Sequence, residues 1–271
     1  MIDQYKIGFI GAGNMAEALC KGMLSAAGPL DIAVSDLNTI RLDVFRNQYG
    51  VEGISKDNKK VVEFADVIIL AVKPQIIPEI LKDVKDLITG DKLIVSIAAG
   101  VTTETIESLI YDGVRVVRVM PNTPALVGLG ASGICKGAHA TSDDIDLVET
   151  MMNTIGSCVV VGEDRMDAIT GLSGSGPAYV YTFIDALADA GVNMGLTRVN
   201  ATKLAAQTVM GAAQMVLETG IHPMQLKDNV TTPAGTTICA LHELDRGGFK
   251  STVMNAVEAA TKKAAKLGKV K

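Results

Sequence analysis

Residues 6–16 of the chain read Lys6-Ile-Gly-Phe-Ile-Gly-Ala-Gly-Asn-Met-Ala16. The pattern predicts a short buried strand over residues 6–10, then a G-x-G-x-x-A turn, then an apolar-periodic helix. Gly11 permits the tight turn, Gly13 lets a pyrophosphate approach the backbone, and Ala16 allows close helix–strand packing. A glycine triplet alone is weak evidence. Placed between a strand and a helix, it predicts a dinucleotide-binding turn.

Further apolar runs alternate with helical patterns along the first half of the chain. Strands are predicted at residues 31–35, 65–72, 92–97, 114–120 and 157–161. Strands that alternate with helices predict an α/β, doubly wound (Rossmann-type) parallel sheet, with ligands outside the carboxyl ends of its strands. Five loops would gather at that edge, at residues 11–15, 36–38, 71–75, 98–100 and 121–124.

These loops supply the candidate cofactor-binding residues. Asp36 ends the second strand about 20 residues past the glycine turn, where a carboxylate binds the ribose hydroxyls and repels a 2′-phosphate. It could instead be a helix N-cap, and Ser35, Asn38 and Arg41 nearby could still host a phosphate. Asn122 and Thr123 would lie near a bound nicotinamide, or would only make a turn. The candidates are Gly11, Gly13, Asn14, Met15, Ser35, Asp36, Ala71, Val72, Lys73, Asn122 and Thr123.

The pattern becomes helical throughout after residue 162. We therefore expect a dinucleotide-binding Rossmann domain over residues 1–162 and an all-α domain over residues 163–271. The predicted helix at 198–219 is apolar on nearly every side, so it must be buried on every side. A half-chain of this size can hardly cover it alone, and a partner subunit is the simplest remedy.

A second candidate site lies in the helical half. The stretch 226–241 concentrates hydroxyl residues before a helical apolar run and contains Pro233 and Gly235. Free backbone N–H groups and the hydroxyls of Thr232, Thr236 and Thr237 would attract a carboxylate or phosphate at this helix start. The alternative is a well-capped helix after a turn. The Gly/Ser-rich loop at residues 170–176 is a further candidate face for cofactor or substrate.

The totals exclude several functional classes. A net charge of −5 gives no reason to expect nucleic acid or an anionic membrane, and no apolar run approaches the ~20 residues of a membrane span. The four cysteines include no CxxC pair and the three histidines stand singly, so we expect reduced thiols and no metal. The first residues lead straight into a strand pattern, so we expect no signal peptide and a cytoplasmic protein.

Several segments are familiar as a set: Gly8-Phe-Ile-Gly-Ala-Gly-Asn-Met-Ala16, Ala71-Val-Lys-Pro74, Met120-Pro-Asn-Thr-Pro124, Gly171-Leu-Ser-Gly-Ser-Gly-Pro-Ala-Tyr179, and Leu226-Lys-Asp-Asn-Val230 with Pro233 and Gly235-Thr-Thr237. Together they resemble the pyrroline-5-carboxylate reductase family nearly end to end. The resemblance implies NADPH- or NADH-dependent reduction of the C=N bond of 1-pyrroline-5-carboxylate to proline, the last step of proline biosynthesis. It also implies a homodimer with interleaved C-terminal helices, often assembled into a decamer.

The resemblance also implies roles for individual residues. Thr237 would be the catalytic residue, hydrogen-bonded to the ring nitrogen of the substrate. The substrate-binding residues would be Ser175, Thr232, Gly235, Thr236 and Thr237, and Asn58 would contact the adenosine ribose. Two positions depart from the family. Ala234 replaces a usual glycine, and Asp36 puts in doubt the family's commoner choice of NADPH.

Two rival functions remain open at this stage. β-Hydroxyacid dehydrogenases share the architecture but carry a catalytic lysine on the helix after their second glycine-rich loop, and residues 177–185 contain no lysine. A non-catalytic dinucleotide-binding regulator would have lost its substrate pocket, whereas the three threonine hydroxyls remain. An absorbance assay with pyrroline-5-carboxylate and each reduced cofactor separates all three functions.

Overall fold

The computed structural model describes residues 2–268. Within them the chain forms two compact units, residues 2–175 with 258–268 and residues 176–257. Residues 163–175 belong to the first unit because they pack against its sheet. Glu163 forms an ion pair with the buried Arg118, and the side chain of Asn122 holds the carbonyl of Ser173. The boundary between the two compact units follows residue 175, which is 13 residues beyond the predicted domain boundary after residue 162.

The first unit is built on an eight-stranded sheet, counted over residues 2–268, with the order β3-β2-β1-β4-β5-β6-β7-β8. The strands are β1 (Ile7–Ile10), β2 (Ile32–Ser35), β3 (Gly53–Ser55), β4 (Val67–Leu70), β5 (Leu93–Ser96), β6 (Arg115–Met120), β7 (Gly130–Lys136) and β8 (Gly156–Val160). The strand order reverses at β1, between β2 and β4. The predicted doubly wound sheet is confirmed, and its switch point lies beside the glycine turn.

Two strands are absent from the sequence prediction. β3 has only three residues, and β7 contains Gly130, Ser132 and Gly133, so neither forms a clear apolar run. The predicted parallel sheet contains one antiparallel pair, formed by β6 and β7. β6 leads to β7 through the short loop at residues 121–129, and a connection this short reverses the chain direction.

Twelve α-helices are present within residues 2–268. They are α1 (Asn14–Ala27), α2 (Thr39–Tyr49), α3 (Asn58–Phe64), α4 (Ile77–Val84), α5 (Thr103–Ile110), α6 (Ser142–Met152), α7 (Met166–Ile169), α8 (Gly176–Asn193), α9 (Arg198–Thr219), α10 (Pro223–Asn229), α11 (Thr236–Arg246) and α12 (Phe249–Leu267). Every helix among these residues is too short or too polar to be a membrane span.

The core of the first unit consists of two apolar clusters, one on each face of the sheet. Ile7 and Phe9 point into one cluster and Ile10 into the other, as the alternation of side chains along a strand requires. Both faces are fully buried at β1, β4 and β5. Helices on both sides therefore hold the carboxyl ends of the strands in a rigid row, where the first candidate site lies.

The second unit has a small core of its own. Ala188 of α8 packs with Ala201 and Ala205 of α9, and these small side chains let the two helices approach closely. Much of α9 nevertheless remains uncovered within this chain. Val199 is 77% exposed and Leu217 is 78% exposed. A helix this apolar cannot show such a surface to water without a large free-energy cost, so the chain needs a partner to cover it.

Candidate functional site

The turn after β1 has the geometry of an anion site. Gly11 has a φ of +102°, and a Cβ there would lie 2.5 Å from the Ala71 carbonyl oxygen, so only glycine fits. Gly13 caps α1 with extended backbone and no side-chain hydrogen bond. The first N–H groups of α1 therefore have no capping partner and point out of the helix end, where they and the helix dipole favour a phosphate. Asn14 and Met15 open this helix.

A groove of about 370 Å³ lies beside the turn, at the switch point of the sheet. Five of the predicted cofactor residues come together in its wall: Gly11, Ser35, Asp36, Asn58 and Val72. Ala71 lies at the base of the turn, and Lys73 is exposed at the exit from β4, where it precedes Pro74 in extended conformation. The residues of the glycine turn, the end of β2 and the start of α3 thus form one surface.

Asp36 faces both the groove and the glycine turn. Its Oδ2 accepts the Ala12 N–H at 2.7 Å, and its Oδ1 accepts the Asn38 N–H at 2.8 Å. The N-cap of α2 is Asn38, whose side chain accepts the Ile40 N–H, so Asp36 is not the N-cap. Each carboxylate oxygen keeps a second lone pair, which can accept a hydroxyl.

Ser35 and Asn58 form a polar pair at the bottom of the groove. Ser35 is fully buried, and its Oγ lies 2.8 Å from Asn58 Oδ1, to which it donates. This hydrogen bond orients the Asn58 amide and leaves its N–H groups free to donate toward the groove. Because Ser35 is buried and its hydroxyl proton is already used, it is poorly placed to host a phosphate.

Arg41 is tied to the back of the glycine turn. Its Nε donates to the Ala12 carbonyl at 2.7 Å, and its Nη2 donates to Glu17 Oε2 at 2.6 Å. Tyr49 donates its hydroxyl to the other oxygen of Glu17 at 2.9 Å. Burial alone would raise the pKa of Glu17, but the bonds from Arg41 and Tyr49 outweigh it and hold that pKa below its ordinary value. Burial and the Glu17 carboxylate raise the pKa of Tyr49 to about 12.

Several residues of the groove were missed at the sequence level. Lys56 stands at its rim, exposed, in the loop before α3, and Ile76 and Ile80 form an apolar wall. The four-residue spacing of the two isoleucines after Lys73-Pro74 is the signal that could have identified this wall. An apolar wall opposite Asp36 suits the flat face of an adenine ring.

Asn122 and Thr123 play different parts in the loop after β6. Asn122 is buried, its Oδ1 accepts the Ala131 N–H at 2.9 Å, and its Nδ2 donates to the Ser173 carbonyl at 3.0 Å. Its side-chain amide therefore braces the protein, in agreement with the turn-making alternative. Thr123 is exposed at the first position of a short 3₁₀ helix.

The expected Gly/Ser-rich loop at residues 170–176 is wrong in its conformation, because Thr170–Gly174 forms a π-helical turn. The Ser175 N–H donates to the Thr170 carbonyl, five residues back, at 2.9 Å. Pro177 follows the turn. It has no N–H to donate to the Ser173 carbonyl, which accepts the Asn122 amide instead. Ser175 ends this turn with its side chain partly exposed.

The threonine-rich stretch forms the second candidate site, within the second unit. Gly235 is the N-cap of α11 without a side-chain cap, so the N–H groups of the first turn are open to a ligand. A Cβ on Gly235 would collide with the Thr232 hydroxyl, which lies directly against the glycine backbone. Among residues 2–268, the hydroxyls of Thr232, Thr236 and Thr237 have no hydrogen-bond partner.

Ala234 carries a strained backbone in this loop. Its φ of 54° lies in the left-handed region, and Ala234 is alone among the non-glycine residues of the described chain, 2–268, in having a positive φ. An alanine there costs about 1–2 kcal/mol relative to a right-handed conformation. The position therefore favours glycine, the residue usual in the family that this sequence resembles.

Two family models match separate parts of the chain. Residues 163–267 match the family model for pyrroline-5-carboxylate reductase dimerisation, and residues 6–100 match the model for NADP oxidoreductase, coenzyme F420-dependent. The pyrroline-5-carboxylate reductase of Methanosarcina acetivorans is 47% identical over 270 residues, which cover 99% of this chain and 100% of that protein.

Solved structures agree over the whole chain. A pyrroline-5-carboxylate reductase from Coxiella burnetii superposes with a TM-score of 0.93 at 38% identity, covering 98% of this chain and 99% of the other. The enzyme from Plasmodium falciparum, solved with NADP bound, superposes with a TM-score of 0.86 at 35% identity over 99% of this chain and 100% of its own. The sequence, the fold and both sites lead to one conclusion: the chain belongs to the pyrroline-5-carboxylate reductase family.

Proposed function

We propose that this protein reduces the C=N bond of 1-pyrroline-5-carboxylate with NADPH or NADH, giving L-proline in the last step of proline biosynthesis. The observation that carries the proposal is the start of α11, which offers three threonine hydroxyls and open backbone N–H groups to one small ligand. A carboxylate and a ring nitrogen are the two groups that such donors and acceptors recognise.

The first unit would bind the dinucleotide. A Cβ on Gly13 would find no protein atom closer than the Ala71 oxygen at 4.0 Å, so the backbone there is open to a pyrophosphate. Gly11, Asn14 and Met15 complete the turn, and Ser35, Asp36 and Asn58 would hold the adenosine ribose. Ala71, Val72 and Lys73, on the loop after β4, would also contact the cofactor, Val72 from the wall of the adenosine groove. Asn122 and Thr123, on the loop after β6, would lie near the nicotinamide, Asn122 through its backbone because its side chain braces the loop. Bound reduced nicotinamide supplies a hydride.

Residues 163–271 would hold the substrate. The Thr232 hydroxyl and the backbone around Gly235 and Thr236 would bind its carboxylate, because an anion is favoured at the start of α11. Thr237 would orient the ring nitrogen through its hydroxyl. Ser175, which ends the π-helical turn, would lie near the reacting ring. In this proposal residues 1–162 bind the cofactor and residues 163–271 bind the substrate.

The reaction asks little acid–base chemistry of these residues. A cyclic imine is readily protonated, so the hydride adds to carbon while nitrogen already carries its proton, and the product is the secondary amine. The protein's contribution is then positioning and electrostatic stabilisation of the iminium ion. One hydroxyl held at the nitrogen meets that need, and a histidine or lysine is not required.

The dimerisation segment supports an oligomer, and we propose a homodimer with interleaved C-terminal helices, with a decamer as its higher assembly. The exposed apolar residues of α9 supply the surface that such a partner would cover. A cytoplasmic location is part of the proposal. It is supported by the cysteines, of which Cys20 and Cys135 are buried as free thiols.

The proposal is tested by following the absorbance of reduced nicotinamide after pyrroline-5-carboxylate is added to the purified protein. We expect oxidation of the cofactor that depends on both substrate and protein, with proline as the product. NADH and NADPH are compared side by side at equal concentration. Dinucleotide binding without turnover would contradict the reductase function and would favour a regulator.

A further inference from the structure

Two side chains that favour different dinucleotides, an acid and a cation, both contact the backbone of Ala12 in the glycine turn. In dinucleotide-binding folds an acid after the second strand binds the 2′-hydroxyl of NAD, whereas a nearby arginine accommodates the 2′-phosphate of NADP. This chain carries both, as Asp36 and Arg41. Ala12 joins them, since its N–H donates to Asp36 at 2.7 Å and its carbonyl accepts from Arg41 at 2.7 Å.

Arg41 does not line the groove. It forms a hydrogen-bonded ion pair with Glu17 of α1 at 2.6 Å, and the two side chains are only 26% and 25% exposed. Tyr49 satisfies the second oxygen of Glu17. A phosphate that recruited Arg41 would have to leave the Glu17 carboxylate partly buried without its counter-charge, and removing one partner of such a pair is costly.

We propose that Glu17 is a positioning residue for cofactor choice. By holding Arg41 against α1, Glu17 prevents the guanidinium from binding a 2′-phosphate, and the chain therefore favours NADH. Glu17 does not line the groove and acts only through Arg41. The inference rests on the proposed function only in that it uses the same dinucleotide groove. It depends on neither the substrate nor Thr237.

Lys56 is the competing cation. It lines the groove and is exposed. An exposed lysine holds a phosphate as a flexible point charge, whereas an arginine grips it with two parallel donors. A gain that depends on Arg41, and not on Lys56, would therefore identify the residue that Glu17 controls.

The test measures binding of two fragments that lack nicotinamide, ADP-ribose and its 2′-phosphorylated form, by titration calorimetry. Glu17→Ala should tighten binding of the 2′-phosphorylated fragment by about tenfold, the scale of one new charge-assisted contact, and should leave ADP-ribose within about twofold. Glu17→Gln, which keeps the size of the side chain, should act in the same direction and decides the question if the alanine variant does not fold.

Four companion variants make the result specific. The gain should vanish in the double variant Glu17→Ala with Arg41→Ala, and should survive in Glu17→Ala with Lys56→Ala. Asp43→Ala removes an exposed ion pair with Arg46 on α2, the helix that carries Arg41. This variant should change the affinity for neither fragment. Because a released guanidinium also has Asp36 as a competing partner, the gain should be larger in an Asp36→Ser background.

Equal changes in both affinities would mean that Glu17 is merely structural, and would overturn the inference. A gain that survives the loss of Arg41 would overturn it as well. If the unaltered protein binds neither fragment, the dinucleotide site itself is wrong and the inference fails with it. If both fragments bind but pyrroline-5-carboxylate is not reduced, only the proposed function fails.

Discussion

The Nδ2 of Asn122 donates a hydrogen bond to the carbonyl oxygen of Ser173 at 3.0 Å and so joins the loop after β6 to the π-helical turn. The same amide accepts the Ala131 N–H through its oxygen. The Asn122 amide thus supplies the Ser173 carbonyl with the hydrogen bond that Pro177 cannot donate. It also anchors the start of β7. These two hydrogen bonds brace the loop that would face the cofactor.

Asn122→Ala should lower the free energy of unfolding by about 1–3 kcal/mol, because two buried backbone groups lose their partner. Thermal or urea unfolding measures the loss. Asn47→Ala, an exposed asparagine on α2, is the control and should cost nothing. Equal stability of both variants would show that Asn122 does not brace these loops.

Gly13→Val should weaken NADH binding by at least about tenfold, or ~1.4 kcal/mol, because the side chain would occupy the place of the pyrophosphate. The fold should survive, since a Cβ at this position has room and the φ of −71° suits valine. Fluorescence titration with NADH, together with thermal unfolding, separates the two effects. Gly11→Ala is the contrasting variant and should lose stability. Unchanged affinity in Gly13→Val would remove the turn from the cofactor site.

Ala234→Gly should raise the free energy of unfolding by about 0.5–1 kcal/mol, because glycine relieves the strained φ of 54° at some entropic cost. Ala240→Gly, in the interior of α11, should instead lower it by about 1 kcal/mol. Urea unfolding of the two variants gives the comparison. A loss at both positions would mean that the left-handed conformation is not occupied in solution.

Thr237→Ala should lower catalytic efficiency by about 10- to 100-fold, the worth of a hydrogen bond to a charged group, while NADH affinity stays normal. Thr237→Ser should keep most of the activity because it keeps the hydroxyl. Steady-state kinetics and thermal unfolding of both variants decide. A lowered melting temperature with normal turnover would make Thr237 a helix-start residue only.

Stability should fall as the pH drops below about 4.5, in part through Glu163. Burial would raise the pKa of Glu163, but the charge of Arg118 and the hydrogen bonds from Thr103 outweigh it and lower that pKa from its ordinary 4.5. Below pH 4.5 Glu163 binds a proton in the unfolded chain but not yet in the folded one. The free energy of unfolding therefore falls until the pH is low enough to protonate Glu163 in the folded state as well. Unfolding midpoints measured between neutral and acid pH should show this slope.

Glu163→Gln should flatten that slope and lower stability at neutral pH, where the ion pair with the buried Arg118 is lost. Glu104→Gln, an exposed residue on α5, controls for the loss of one negative charge. An identical slope in Glu163→Gln would assign the acid sensitivity to other carboxylates.

Much of the architecture could be predicted because it depends on local patterns. The strand, the glycine turn and α1 follow from residues that are neighbours in sequence, and the apolar runs of β4 and β5 indicate burial on both faces. β3 and β7 could not be predicted from the sequence pattern, because β3 is short and β7 is interrupted by glycine and serine. Their pairing comes from strands elsewhere in the chain.

The candidate sites divide in the same way. The type of residue at Asp36 and its place after β2 indicate a ribose contact, and five predicted residues do meet in one groove. The bonds from Arg41 to Glu17 and from Asn122 to Ser173 span 24 and 51 positions, so they depend on tertiary structure. No pattern within a window of sequence could reveal them.

The π-helical turn at Thr170–Gly174 also restricts how the length of this segment can vary. A π turn closes its hydrogen bond over one residue more than an α turn, here from Ser175 back to Thr170. Removing one residue would let an ordinary α-helix form and would rotate every later side chain of α8 by about 100° around the helix axis. A substitution in this segment alters one side chain, whereas a single insertion or deletion would redirect the whole of the helix that follows.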